Sequence, residues 1–130
     1  MRLTHLALAV ADRERSRAFY ETHFGFAAGR AQECEDGVLI IRDAAGFDLA
    51  LDPTGSPPEQ PRLHFGFRCS DADEVRTLLQ HVTDHGIAVI ERVTEDALTS
   101  FKCLDPDGYC VEAYWDGAVP SVGLLTPPEG

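Results

Sequence analysis

Residues 101–115 read FKCLDPDGYCVEAYW, and this stretch predicts a β-hairpin. Proline at the second place of the Asp-Pro-Asp-Gly turn fixes its backbone angle, and the glycine that follows tolerates the left-handed conformation closing a three-residue loop. Such a loop pairs Asp105 with Tyr109, so counting outward along the ladder places Lys102 directly opposite Glu112. The hairpin therefore predicts a lysine and a glutamate side by side on one face of a sheet.

The same turn pattern occurs in the first half of the chain, within residues 40–52 (IIRDAAGFDLALD). Equivalent counting places Ile40 opposite Ala50, an apolar pair where the later hairpin has a charged one. The first strand also recurs, because residues 3–10 (LTHLALAV) are echoed by residues 63–70 (LHFGFRCS). The chain is therefore predicted to be an internal repeat.

Each half is predicted to hold a strand, a helix and three more strands, which makes an α+β fold of two βαβββ modules forming a cupped mixed β-sheet. Asp12 and Asp71 suit the N-caps of the two helices, and a glycine follows each helix. The first helix is expected to bury Ala18, Phe19 and Phe24. The predicted helices are 13–24 and 72–85, and the strands between and after them are 26–32, 37–42, 47–52, 87–94, 100–104 and 109–115.

The length of 130 residues suits one domain. We predict a single domain over 1–116, with module one at 2–52, a proline-rich linker at 53–62 and module two at 63–116. Residues 117–130 form a predicted C-terminal tail without assigned chemistry.

The balance of charge is strongly acidic, with 11 basic and 22 acidic residues and a net charge of −11. Such a chain repels phosphate backbones and anionic lipids, so neither nucleic acid nor a membrane is an expected partner. The N-terminal residues lack the basic start and cleavage site of a signal peptide, and the four cysteines show no C-x-x-C spacing. We therefore expect a cytoplasmic protein with reduced cysteines.

The two-residue period of a strand sorts the side chains onto two faces. His5 shares its face with small alanines, His64 shares its face with Gly66 and Arg68, and Glu112 shares its face with Tyr114. The opposite faces are apolar, as a helix-covered face must be. The polar faces, where small residues leave room, are expected to line a ligand cup.

These motifs identify the chain as a member of the vicinal-oxygen-chelate superfamily, which includes glyoxalases, bleomycin-resistance proteins and extradiol dioxygenases. The likeness is carried by residues 4–12 (THLALAVAD), 18–26 (AFYETHFGF), 63–67 (LHFGF) and 101–115, and locally it is greatest to the fosfomycin-resistance branch. Membership implies a divalent metal, which is Mn, Fe, Ni, Co or Zn, bound by His5, His64 and Glu112. Open coordination positions would then accept two neighbouring oxygens of a substrate.

Three departures from these relatives leave the reaction open. Ala50 stands where glyoxalase I and the epimerases resemble each other in an acidic fourth ligand. Lys102 stands where extradiol dioxygenases and fosfomycin transferases have a tyrosine. Ala7 replaces the threonine of the fosfomycin branch. Isomerisation, lyase chemistry or addition at a carbon beside a metal-bound oxygen all remain consistent with the pattern, whereas dioxygenase chemistry lacks its usual helper residues.

The remaining polar residues each have a functional and a structural interpretation. Lys102 is the catalytic candidate, either binding a substrate anion or transferring a proton, and the alternative is a plain ion pair with Glu112. Arg68 and Tyr114 are candidates for substrate binding, and the alternatives are a rim salt bridge and simple packing.

The function predicted from the sequence is that of a metal-dependent small-molecule enzyme, a lyase, isomerase, transferase or dioxygenase of this superfamily. The alternative is a non-catalytic protein that sequesters an antibiotic or metabolite, as bleomycin-resistance proteins do. A third possibility is a structural or regulatory dimer whose metal holds the fold. Small members of the superfamily are commonly homodimers, and exposed sheet edges favour that arrangement here.

Overall fold

The computed structural model of the chain describes residues 1–57, 63–95 and 97–117. Half of the predicted linker and nearly all of the predicted tail lie outside these residues. The elements follow the order predicted from the repeat. They are β1 His5–Ala9, α1 Arg13–Phe24, β2 Gln32–Glu33, β3 Leu39–Arg42, β4 Asp48–Asp52, β5 His64–Arg68, α2 Ala72–Asp84, β6 Val89–Glu95, β7 Leu98–Leu104 and β8 Cys110–Trp115.

Two four-stranded sheets have the same internal order, β1-β4-β3-β2 in the first half and β5-β8-β7-β6 in the second. In each sheet the first strand of the module runs parallel to the last one, and the other pairings are antiparallel. The α+β class and the repeated βαβββ arrangement are thus confirmed. Among the described helices, none is long and apolar enough to span a membrane.

Both hairpin registers agree with the counting from their turns. Ile40 pairs with Ala50 across β3 and β4, and Lys102 pairs with Glu112 across β7 and β8. The turn of the second hairpin closes through the amide of Gly108, which donates to the carbonyl of Asp105 and has a φ of 88°. A left-handed residue at that place fixes the register of the strands on either side.

Both helix N-caps are as predicted. Asp12 accepts hydrogen bonds from the amides of the first turn of α1, and Asp71 accepts one from Glu74. The predicted inward face of α1 is partly wrong, because Ala18 is exposed and Phe24 only half-buried, whereas Ser16 and Tyr20 are buried with Phe19.

The second strand is much shorter than the sequence predicted. A strand at 26–32 was expected, but the ladder of β2 contains only Gln32 and Glu33. Gly29 has a φ of 74°, a left-handed conformation that breaks a ladder. Phe26 is nonetheless almost fully buried, so its apolar character serves the core rather than a strand.

The chain groups into two compact units, one formed by residues 1–63 with 105–109 and the other by residues 64–104 with 110 onward. In the first unit, the Asp105–Tyr109 turn is tied to α1 and β1 by side-chain hydrogen bonds. The Tyr20 hydroxyl donates to Asp105 at 2.7 Å, the Ser16 hydroxyl donates to Asp107 at 3.1 Å, and the Tyr109 hydroxyl donates to the Ala9 carbonyl at 2.9 Å. Burial raises the pKa of Asp105.

Candidate metal and ligand site

Five of the six predicted site residues lie in the second unit and on one face of its sheet. His64 and Arg68 are on β5, Lys102 is on β7, and Glu112 and Tyr114 are on β8. The opposite face is apolar and packs against α2, and it includes the fully buried Val111 and Ala113. We call the first of these the polar face of the second sheet.

A row of four residues crosses this polar face in register. Glu91 on β6 pairs with Lys102 on β7, Lys102 pairs with Glu112 on β8, and Glu112 pairs with Gly66 on β5. Opposite partners in neighbouring strands have Cβ atoms about 5 Å apart, so each side chain lies within reach of the next. The row therefore alternates acid, base and acid before it ends at a glycine.

His64 and Glu112 direct donor atoms toward each other across β5 and β8. The Nε2 atom of His64 lies 4.0 Å from Oε1 of Glu112, which is longer than a hydrogen bond. Neighbouring ligands of one ion, each bound at about 2.1 Å, are about 3.0–3.4 Å apart, so a side-chain shift of under about 1 Å would bring both atoms onto one metal. Their side chains are 40% and 21% exposed, so an ion has access to both. An imidazole beside a carboxylate suits Mn, Fe, Co, Ni or Zn, and this donor set fits the implied metal.

Gly66 makes room for the Glu112 carboxylate. A Cβ atom at Gly66 would lie 3.3 Å from Cβ of Glu112 and 3.4 Å from its Oε1 atom. The first unit has an alanine at the equivalent strand position, where Ala7 pairs with Ala50. The position thus carries a methyl group in the first unit, where its ladder partner is the small Ala50. It carries none in the second unit, where its partner is Glu112, the predicted metal ligand.

Lys102 forms an ion pair with Glu91, a residue that the sequence analysis did not single out. Nζ of Lys102 lies 2.7 Å from Oε2 of Glu91, and the lysine side chain is only 21% exposed. The hydrogen bond to Glu91 raises the pKa of Lys102, and the nearby charge of Glu112 acts in the same direction. The ion-pair interpretation of Lys102 is therefore realised with Glu91, whereas pairing with Glu112 had been considered.

Arg68 points to a different partner at the end of the same face. Its Nη2 atom lies 2.8 Å and its Nε atom 3.1 Å from the same oxygen of Asp116. The Arg68 side chain is 47% exposed, as a rim salt bridge would be. Tyr114 pairs with Arg68 across β5 and β8, so the two candidates for substrate binding are neighbours.

Two further residues of the polar face lie near these candidates. Cys110 pairs with His64 across β5 and β8, and burial raises the pKa of its thiol. Ser100 pairs with Tyr114 across β7 and β8, it is only 3% exposed, and within the described part of the chain its hydroxyl has no hydrogen-bond partner. The hairpin counting that located Lys102 also places Ser100 on this face, but a serine in a strand carries no distinguishing signal.

In the first unit, His5 is exposed on β1 and pairs with Asp48 across β1 and β4. Asp48 in turn forms an ion pair with Arg42, and that hydrogen bond lowers the pKa of its carboxyl, to which His5 adds a smaller effect in the same direction. Ala50, at the place of the missing acidic ligand, is buried. The ladder partner of His5 is thus a carboxylate that Arg42 already engages.

Comparisons with known proteins agree with the fold. The family model of the Glyoxalase/Bleomycin resistance protein/Dioxygenase superfamily matches residues 2–113. A possible glyoxalase from Bacillus cereus is 27% identical, with a TM-score of 0.69 over 87% of this chain and 97% of that one. No curated protein matches the chain.

Two further solved structures are similar in fold, at lower identity. The fosfomycin resistance protein FosX from Listeria monocytogenes, complexed with Mn(II) and sulfate, is 18% identical with a TM-score of 0.74, covering 91% of each chain. The antibiotic binding protein TnmS3 from Streptomyces is 20% identical with a TM-score of 0.71, covering 90% of this chain and 97% of that one. A fosfomycin resistance protein and an antibiotic binding protein thus share this architecture.

Proposed function

The chain belongs to the Glyoxalase/Bleomycin resistance protein/Dioxygenase superfamily, and from this premise we propose that it is a divalent-metal-dependent enzyme acting on a small molecule. His5, His64 and Glu112 are the proposed metal ligands. The approach of His64 Nε2 to Glu112 Oε1 at 4.0 Å, over the space left by Gly66, carries the proposal. The proposal names the residues that bind the metal, and it holds whether they come from one chain or from two chains of a dimer.

Two imidazoles and one carboxylate leave coordination positions open for two neighbouring oxygens of a substrate. When bound, the metal supplies Lewis-acid stabilisation of negative charge that develops on such an oxygen. Lys102 is proposed to bind an anionic oxygen of the substrate or to transfer a proton at Nζ. Arg68 and Tyr114 are proposed to contact the substrate at the neighbouring end of the same face.

The reaction is proposed only as a class. The buried Ala50 supports the absence of a fourth acidic ligand, and a lysine occupies the place of the tyrosine found in dioxygenases and fosfomycin transferases. These substitutions favour isomerisation, lyase chemistry or addition at a carbon beside a metal-bound oxygen over ring cleavage or fosfomycin modification.

A second candidate is non-catalytic binding of a small molecule such as an antibiotic. Both cationic candidates on the polar face are already paired with acids, Lys102 with Glu91 and Arg68 with Asp116. Together with a net charge of −11 this favours a cationic or neutral ligand. The TnmS3 structure shows that the fold accommodates such a role in another protein.

The proposal includes a cytoplasmic homodimer whose partners are small molecules rather than nucleic acid or membrane. Light scattering on the purified protein measures the oligomeric state directly. A monomeric mass over the micromolar range would contradict the dimer.

Metal content tests the site on which the enzyme proposal depends. We expect about one Mn, Fe, Co, Ni or Zn per chain in the wild type by elemental analysis, and its loss in Glu112→Ala. Glu95→Ala is the matched control, because Glu95 is an exposed acid at the end of β6 in the same sheet. Absence of metal from the wild type, with none taken up on titration, would refute the metal site and make sequestration the leading function.

The two histidines provide an independent check. We expect His5→Ala and His64→Ala to weaken metal binding by similar factors, because the proposal gives them equivalent roles in the repeat. Full metal occupancy in His5→Ala beside loss in His64→Ala would show that His5 is not a ligand.

A further inference from the structure

A β-bulge on β6 determines which residue meets Lys102. Val89 pairs with Cys103, so a regular antiparallel ladder would place Ile90 opposite Lys102. The register shifts at this point, and Glu91 becomes the partner of Lys102. Ile90 is left 56% exposed. Bulges commonly re-aim a side chain next to a functional site, and this one exchanges an apolar partner of Lys102 for an acid.

Lys102 therefore lies between two carboxylates on neighbouring strands. Glu91 is its ladder partner on β6 and Glu112 is its ladder partner on β8. Its ammonium group pairs with Glu91, whose Oε2 lies 2.7 Å from Nζ of Lys102. Within the described residues, no ion pair of 4.0 Å or less joins Lys102 to Glu112. Glu112 instead approaches His64 on its other side.

An ion pair between Lys102 and Glu112 would interfere with metal binding. The lysine would hold the carboxylate oxygens as hydrogen-bond acceptors, and its positive charge would lie beside the cation. Because a lysine stem is long and opposite partners on a ladder are close, Nζ can reach either carboxylate. The partner that Lys102 takes therefore bears on whether the Glu112 carboxylate is available to a metal.

We infer that Glu91 is a positioning residue, which holds the Lys102 ammonium on the β6 side and so keeps the Glu112 carboxylate open for a divalent cation. The inference rests on the proposed role of Glu112 as a metal ligand. Groups that support a metal ligand in this way commonly change metal affinity without touching the ion.

The test is a titration of the protein with Co²⁺, one of the candidate metals. Binding is measured by calorimetry and by the visible absorption of the bound Co²⁺. Glu91→Gln keeps the size of the side chain and removes its charge, and we expect about three- to tenfold weaker Co²⁺ binding. In Glu91→Gln/Lys102→Met, where no ammonium can approach Glu112, affinity should return to within about twofold of wild type. Glu95→Gln removes the same charge further along β6 and should leave the affinity within about twofold of wild type.

A crystal structure of metal-free Glu91→Gln gives a readout that is independent of metal binding. We expect Nζ of Lys102 to lie within about 3.2 Å of a Glu112 carboxylate oxygen. Unchanged Co²⁺ affinity in folded Glu91→Gln, failure of the double variant to recover, or a Lys102 directed away from Glu112 in the crystal would each overturn the inference. In those cases wild-type Co²⁺ binding lost in Glu112→Ala still supports the metal site, whereas a wild type that binds no Co²⁺ refutes the proposed function and this inference with it.

Discussion

Replacing Gly66 with alanine tests the link between the packing of β5 and the predicted metal ligand. Gly66 does not have a positive φ, so an alanine is compatible with the backbone there. The new Cβ atom would nevertheless meet Cβ of Glu112 at 3.3 Å and both its carbonyl oxygen and its Oε1 atom at 3.4 Å. Each contact is a few tenths of an ångström too short, and the end of the Glu112 side chain yields most easily.

The expected effects on stability and on metal binding differ. Alanine gains about 0.5–1 kcal/mol over glycine in a strand, whereas crowding of this kind costs about 1–3 kcal/mol. We therefore expect a net destabilisation of about 1 kcal/mol. Displacement of the carboxylate oxygen from the approach to His64 should weaken metal binding about tenfold, which corresponds to about 1.4 kcal/mol.

Urea unfolding of the metal-free protein measures the first effect, and Co²⁺ titration measures the second. Ala7→Gly is the matched control, because Ala7 occupies the equivalent position in the first unit, where its ladder partner Ala50 has no carboxylate. It should lower stability by about 0.5–1 kcal/mol and leave Co²⁺ affinity unchanged. Wild-type Co²⁺ affinity in a folded Gly66→Ala protein would refute the argument that this glycine serves Glu112.

Three further predictions concern buried polar groups. Tyr20→Phe removes the donor to Asp105 and should lower the free energy of unfolding by about 1–3 kcal/mol in urea titrations; an unchanged value would mean that the bond contributes nothing. Burial raises the pKa of Asp105 above its ordinary 3.8. The folded protein therefore binds this proton more tightly than the unfolded chain does, and the stability that this contributes is full at low pH and is lost as pH rises through the folded pKa. Wild type should therefore lose stability relative to Asp105→Asn from about pH 4 upward, and parallel pH profiles of the two proteins would contradict this. Ser100→Ala should have a free energy of unfolding that is within about 1 kcal/mol of the wild-type value or higher, because the hydroxyl has no partner among the described residues. A much lower value would show that the Ser100 hydroxyl makes a stabilising hydrogen bond.

The order of elements and the register of each hairpin could be predicted because their causes are local. Turn residues a few positions apart close each loop, and the two-residue period of a strand then carries the register outward to Lys102 and Glu112. The faces followed for the same reason, so the placement of Lys102, Glu112, Arg68 and Tyr114 on one face needed no tertiary information.

The inward face of α1 was misjudged because apolar character was the criterion. Ser16 and Tyr20 are buried through hydrogen bonds to Asp107 and Asp105, which lie 91 and 85 positions away in the chain. No pattern in the sequence of the helix predicts hydrogen bonds to residues so far away in the chain. The truncated β2 had a local signal in Gly29, but a glycine in an apolar stretch does not by itself reveal its φ.

The sequence by itself determined the repeat, the α+β class, the two hairpin registers and the face that bears His64, Lys102 and Glu112. Only the tertiary structure decided that Glu91 rather than Ile90 meets Lys102, because a bulge depends on how β6 packs along β7 and no turn sets it. A turn's geometry depends on a few adjacent residues. Which of two carboxylates pairs with Lys102 depends instead on strands that come together only in the folded protein.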